Sequence, residues 1–242
     1  MKQFIGCSGF NYDDWKGRFY PEDTAKKRWL EYYAEHFNSV EINASFYRLP
    51  KQKTLKNWYE RVPDSFRFTL KGSRYVTHAK KLNNPSDPVT TFYKRAEVLQ
   101  DKLGCILWQL PGNLQKDMEK LKGFCSALSN NFRNVIEFRH SSWFDDEVYD
   151  VLSESRVAFC MLSAPDGLTT GAVQTSDIMY LRFHGKDDWY SYRYSDGELQ
   201  HWANTVVRQS PREAYIYFNN DVDANAPDNA GKLQQLITAE TA

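Results

Sequence analysis

Cysteine is scarce in this sequence, and its spacing carries no motif. The four residues Cys7, Cys105, Cys125 and Cys160 stand 98, 20 and 35 positions apart in 242, with no C-x-x-C. That excludes a zinc ribbon and the dense disulfide framework of a small secreted domain. Three of them lie in or beside apolar runs, where a free thiol behaves as a small hydrophobe. Net charge is missing too. The 31 Lys+Arg balance 31 Asp+Glu, so no polybasic body faces nucleic acid, although a local patch is compatible with neutrality. No stretch of about 18 apolar residues is available to cross a bilayer, and MKQFIGCSGF lacks the apolar region of a signal peptide. The expectation is a soluble, cytoplasmic protein with no membrane partner. Also absent are G-x-G-x-x-G, G-x-S-x-G and H-E-x-x-H, which removes the dinucleotide fingerprint, the hydrolase elbow and the helical zinc motif. Nothing calls for a cofactor or a resident metal, and nothing sets the oligomeric state.

Bulk and periodicity are present instead. Apolar residues make up 41% of the chain and aromatics 15%, enough for a sizeable core. Short β-rich runs read as strands at Phe4–Cys7, Val40–Asn43, Phe66–Lys71 and Cys105–Leu110, then Val135–Phe138, Val157–Leu162, Met179–Phe183 and Tyr215–Phe218. Their starts average about 30 residues apart, the size of one βα unit. Helical periodicity fills most gaps: Thr24–Phe37 with Thr24 as N-cap, Met118–Leu128, and a helix opened by the capping box Ser195/Glu198. Ser163–Ser176 has no helical period and reads as a loop. No linker or low-complexity tract divides the chain. Eight mostly apolar strands alternating with helices predict an α/β fold: a single (β/α)8 TIM-type barrel over residues 1–242, with some helices short or missing, notably after strand 6. A doubly wound open sheet is the alternative, disfavoured by the missing glycine fingerprint.

Barrel chemistry collects at the C-terminal strand ends. Strand 1 is followed there by Ser8, Tyr12 and Trp15. Strand 2 supplies Glu41 and Asn43, then Tyr47; strand 3 ends in Lys71 and strand 4 in Gln109. Strand 5 gives Glu137, Arg139 and His140, strand 7 gives Arg182 and His184, and strand 8 gives Asn219, Asn220 and Asp221. Segment 71–81, KGSRYVTHAKK, holds four Lys or Arg plus His78 and no acid, a composition suited to phosphate or carboxylate. Lys71, Arg139 and Arg182 are the expected anion holders. His78 and His184, with Glu41 and Glu137, are the expected acid–base groups. Ser8, Tyr12, Trp15, Asn43, Tyr47, Gln109 and Asn219 complete the expected ligand contacts. A buried Glu137–Arg182 pair that is purely structural is the competing reading. His140, His184 and the acids could gather a metal, but Arg139 and Arg182 would compete for the carboxylates.

These segments also resemble a known family. GCSGFNYDDWKGRFYP, YYAEHFNSVEINASFYRLP and FRFTLKGSRYVTH, followed by LGCILWQLP, VIEFRHSSW, YLRFHG and YIYFNND, are similar to DUF72, or YecE-like, proteins in the same order. The resemblance runs to about residue 229, implies a TIM barrel and supplies no reaction. The family motifs it matches include Gly6, Ser8, Gly9, Tyr12, Trp15, Glu41, Asn43, Phe46, Tyr47, Lys71, His78 and Gln109. They continue through Glu137, Arg139, Trp143, Arg182, His184, Gly185, Tyr194, Asn219 and Asn220. LPGNL after Gln109 departs from the family's double proline and aromatic, so that loop is expected to differ in shape.

Three functions are compatible with these residues. One is an enzyme on a small phosphate- or carboxylate-bearing substrate, with hydrolase or isomerase/lyase-type acid–base chemistry. A second is a nucleic-acid-binding or metal-dependent phosphodiesterase barrel, with Tyr12, Trp15, Tyr47 and Trp143 stacking bases. The third is a non-catalytic ligand-binding module.

Overall fold

Eight parallel strands circle one axis in the computed structural model, which describes residues 1–241. They are β1 (Lys2–Cys7), β2 (Ser39–Ile42), β3 (Arg67–Lys71), β4 (Leu103–Gln109), β5 (Arg133–Glu137), β6 (Ala158–Ser163), β7 (Ile178–Phe183) and β8 (Glu213–Phe218). Each pairs with its sequence neighbour from β2 round to β8, and β8 pairs with β1. The chain therefore folds as an α/β barrel of the (β/α)8 type. The eight expected strands are all present, with ends shifted by a few residues.

One seam lacks a backbone ladder, that between β1 and β2. Side chains close it. The Tyr33 hydroxyl accepts from the Cys7 N–H at 2.7 Å and donates to the Ser39 carbonyl at 3.0 Å. The Asn38 amide bonds the Ile5 N–H at 3.0 Å and the Gln3 carbonyl at 2.7 Å. Gly6 permits the approach, because a Cβ there would lie 1.9 Å from the Ser39 carbonyl oxygen.

The helices are α1 (Trp29–His36), α2 (Ala44–Tyr47), α3 (Gln52–Glu60), α4 (Ser86–Ala96), α5 (Met118–Ala127), α6 (Asp146–Glu154), α7 (Asp196–Gln209) and α8 (Asn225–Thr241). The capping box of α7 forms as expected, Ser195 and Glu198 satisfying each other's backbone N–H. Thr24 does not cap α1: a 3-10 turn over Lys26–Arg28 intervenes, and Arg28 is the capping position. The Thr24 carbonyl instead accepts from the Trp29 indole at 3.2 Å. No helix separates β6 from β7, as the missing period implies. There the hydroxyls of Thr170 and Thr175 accept from the Leu162 and Phe159 N–H groups of β6. Among the described residues no helix is long and apolar enough to cross a membrane.

Strand alternation divides the core into two shells. Outward residues such as Ile5, Val40, Phe68, Ile136 and Leu181 pack under the helices. Inward residues fill the barrel, among them Phe4, Cys105, Leu107, Val135, Cys160, Tyr215 and Tyr217. Phe4 stacks on Tyr215 at 4.7 Å, and Tyr217 hydrogen bonds Ser39 and Thr69 across the axis. All four cysteines are buried free thiols. The apolar filling ends one layer below the C-terminal mouth, and there the inward parity continues in charged residues.

Candidate functional site

Glu41 on β2, Glu137 on β5 and Arg182 on β7 form the barrel's last closed layer. All three are essentially without solvent exposure. Arg182 spans the axis, donating from Nη2 to Glu41 Oε1 at 2.6 Å and from Nη1 to Glu137 Oε2 at 2.5 Å. The Tyr180 hydroxyl donates to Glu41 Oε2 at 2.5 Å, the Ser8 hydroxyl donates to Glu41 Oε1, and Arg139 Nε donates to Glu137 Oε1. Burial alone would raise the Glu137 carboxyl, but Arg139 and Arg182 outweigh it and hold it at about 2. All four carboxylate oxygens of Glu41 and Glu137 thus have partners within this layer.

Above this layer opens a cavity of about 250 Å³. Its lining brings together Asn43, Tyr47, Lys71, Gln109, Arg139, Arg182, His184 and Asn219 from the sequence reading, and adds Tyr190 and Asp221. His184 stands between a guanidinium and an amide. Arg139 Nη2 lies 2.9 Å from its Nε2, and the Asn219 side-chain amide 3.1 Å from its Nδ1. A guanidinium can only donate, so Nε2 accepts, and the Asn219 atom that faces Nδ1 is its amide nitrogen Nδ2. Burial, then the charges of Arg182, Arg139 and Lys71, push this imidazole well below its ordinary range and keep it neutral. Arg139 stacks over Trp189 at 4.8 Å and, among the described residues, its Nη1 has no protein partner.

Lys71 differs from the cavity's two arginines. Its ammonium has no ion pair or hydrogen bond among the described residues and rests 4.6 Å over the Phe46 ring. Burial, then the nearby Arg182, lowers it to about 8. Asp221 is the converse: burial raises its carboxyl to about 6. Its backbone is pinned by the Trp15 indole, which donates to the Asp221 carbonyl at 2.9 Å. The Asn43 side-chain oxygen is buried with no partner.

The remaining expected residues lie elsewhere. Ser8 sits beneath the cavity on Glu41. Tyr12 is partly buried and donates to the Ser8 carbonyl at 2.6 Å. Trp15 and Trp143 have no exposed surface, which leaves neither ring available to stack a base. His78 lies outside the lining, in a π-helical turn over Tyr75–Ala79 rather than in an open loop after β3; Phe46 packs on it edge to face at 4.9 Å, and burial followed by Lys71 lowers its imidazole. His140 bonds Ser142 outside the cavity, and among the described residues no three His, Cys, Asp or Glu side chains group as metal ligands. The LPGNL segment places the Leu114 carbonyl 2.7 Å from the Trp143 indole nitrogen.

The model of the family described as "Protein of unknown function DUF72" matches residues 4–242. This chain belongs to the DUF72 family. The DUF72 protein is 35% identical to UPF0759 protein YecE of Escherichia coli O157:H7, with 82% of each chain covered. UPF0759 protein YunF of Bacillus subtilis (strain 168) is 25% identical, covering 98% of this chain and 95% of its own. A DUF72 family protein from Thermotoga maritima MSB8 superposes with a TM-score of 0.90 at 28% identity, covering 98% and 100%. These similarities support the barrel and its family and carry no reaction for this DUF72 protein.

Two cavity residues escaped sequence reading as ligand contacts. Asp221 was read as the end of strand 8 and as one of the acids that could gather a metal. Tyr190 sits in an irregular loop at φ +70°, tied by its N–H to the His184 carbonyl at 2.8 Å, and no periodicity marks it.

Proposed function

We propose that this DUF72 barrel is an enzyme that binds a small carboxylate- or phosphate-bearing substrate in the mouth cavity and works on it by proton transfer. The observation that carries the reading is Lys71. Three cations, Lys71, Arg139 and Arg182, share two carboxylates, and both carboxylates are taken by the arginines. Lys71 is left at the cavity wall with no ion pair, although Asp221 is a third acid of the same lining, and a ligand anion would give it a direct partner.

Lys71 near 8 and Asp221 near 6 bracket neutral pH, so each can exchange a proton under working conditions. They take the role that the sequence suggested for His78, Glu41 and Glu137. His184 orients Arg139 and offers a neutral ring. The cavity is smaller than the roughly 300–1,000 Å³ of drug-sized sites, which suits a short acid. The nucleic-acid reading loses two of its four stacking rings to the core.

Proton NMR in D2O tests this on a panel of short 2-hydroxy acids, 2-oxo acids and phosphomonoesters. Enzyme-dependent loss of a C–H signal or turnover in at least one member, abolished by Lys71→Met, is expected. Exchange or turnover unaffected by that substitution would contradict the assignment, as would inertness across the panel.

A further inference from the structure

We infer that Lys71 is a nucleophile whose ε-amine condenses with the carbonyl of a short oxo acid, a role that rests on the anion-binding reading above and names its substrate class. The fold itself supplies the contrast. Lys102, a buried lysine where Lys71 is half-buried, is only 3% exposed and fully satisfied: it donates to the Tyr59 carbonyl at 2.8 Å and the Val62 carbonyl at 2.7 Å, and pairs with Asp64 at 3.3 Å. A lysine kept for structure is therefore given partners here. Lys71 is given an aromatic face, two arginines and a cavity.

That environment is what an amine nucleophile requires. Burial and neighbouring cations favour the neutral amine, which alone has the lone pair to attack carbon. A carboxylate salt bridge would hold the ammonium protonated, and none is present. The same cavity carries the complementary parts: Arg139 with an unoccupied Nη1 for the acid's carboxylate, the partnerless Asn43 oxygen as a hydrogen-bond acceptor, and Asp221 as proton carrier.

The step balances with these groups alone. The Lys71 nitrogen lone pair forms the C–N bond, and the carbonyl π pair moves onto oxygen. One of the two protons on the now-cationic nitrogen passes to that oxygen, giving a carbinolamine. Protonated Asp221 donates to the hydroxyl, the C–O bond breaks, and water leaves as the nitrogen pair forms C=N. The product is an iminium in the cavity that Asp221 also lines, and where the acid carries a C–H on the adjacent carbon, as pyruvate does, its electron demand loosens that proton.

Glyoxylate and pyruvate, each incubated with the protein and cyanoborohydride, probe this directly by peptide mass mapping. The expected result is one adduct at Lys71, of the acid's mass less one oxygen, forming at least about tenfold faster than at any surface lysine. The neutral-amine fraction near pH 7 differs by on the order of a hundredfold. Oxalate, an anion with no reducible carbonyl, should suppress it. Lys71→Arg should retain stabilisation by oxalate and lose the adduct. Labelling spread over surface lysines while oxalate still stabilises the protein would overturn the imine and leave the anion site standing. Uniform labelling with no stabilisation by oxalate would overturn both.

Discussion

Lys71 and Asp221 are held in protonation states that folding disfavours, and the sign of each effect is measurable. A lysine lowered to about 8 when folded, against about 10.4 unfolded, contributes full stability only above the unfolded value. That contribution is lost as pH falls from about 10 to 8, so at neutral pH the buried ammonium is a net cost. Lys71→Met should therefore raise stability near pH 7 by about 1–3 kcal/mol, with the gain shrinking above pH 10 in urea titrations across pH. A carboxyl raised to about 6 works in the other direction: its stability is present below about pH 4 and lost as pH rises to 6. Asp221→Asn should stabilise the protein above pH 6 and change little at pH 4. A destabilised variant in either case would mean that the side chain serves the fold. Glu137 behaves oppositely, since Glu137→Gln strips a counterion from two arginines, one of them 1% exposed. It should cost about 3–5 kcal/mol by chemical denaturation. The side on which these residues lie was legible in the sequence, because period-two alternation places Glu137 with Arg139 and Arg182 with His184. Depth was not, since alternation reports a face and never says which layer is sealed beneath a cavity. Nor could it reveal which of three cations would be left without a partner, a property of the assembled charges alone.

Strands were the most readable elements, and the register of β5 and β7 delivers Glu137 and Arg182 to one level. Each strand is a short apolar run bounded by polar residues, and burial on both faces leaves little doubt about its extent. Helix starts were less readable. The Ser195/Glu198 box acts locally and was found. Thr24 failed as a cap because the chain first makes a 3-10 turn that brings Trp29 onto Tyr20, rings 4.6 Å apart and nearly coplanar. The β1–β2 seam was invisible, since it depends on the Tyr33 hydroxyl and the Asn38 amide reaching backbone groups of the strands. Tyr33→Phe tests that element: it leaves the buried Cys7 N–H without its acceptor and should cost about 1–3 kcal/mol. Amide hydrogen exchange should then quicken at Cys7 ahead of the remaining strands. Exchange that stays uniform would mean that β1 and β2 are held by packing alone.

At the scale of the whole molecule, a mostly apolar barrel carries a charged layer beneath its C-terminal mouth and, above it, a small polar cavity. The barrel was predictable from eight runs at regular spacing, whereas Tyr190 and the burial of Trp15 were not, because both arise in loops whose path only the closed barrel determines. The central claim is that the Lys71 charge is left unpaired so that a ligand can complete it. Calorimetric and thermal titration with inorganic phosphate and oxalate at low salt tests this most directly, on the parent and on Lys71→Met. The parent should bind one of these anions at a single site and, at a hundred times the dissociation constant, gain about 2.7 kcal/mol. Lys71→Met should start from a higher melting temperature and gain nothing. An unchanged ligand shift in Lys71→Met, or no binding of either anion by the parent, would contradict the account.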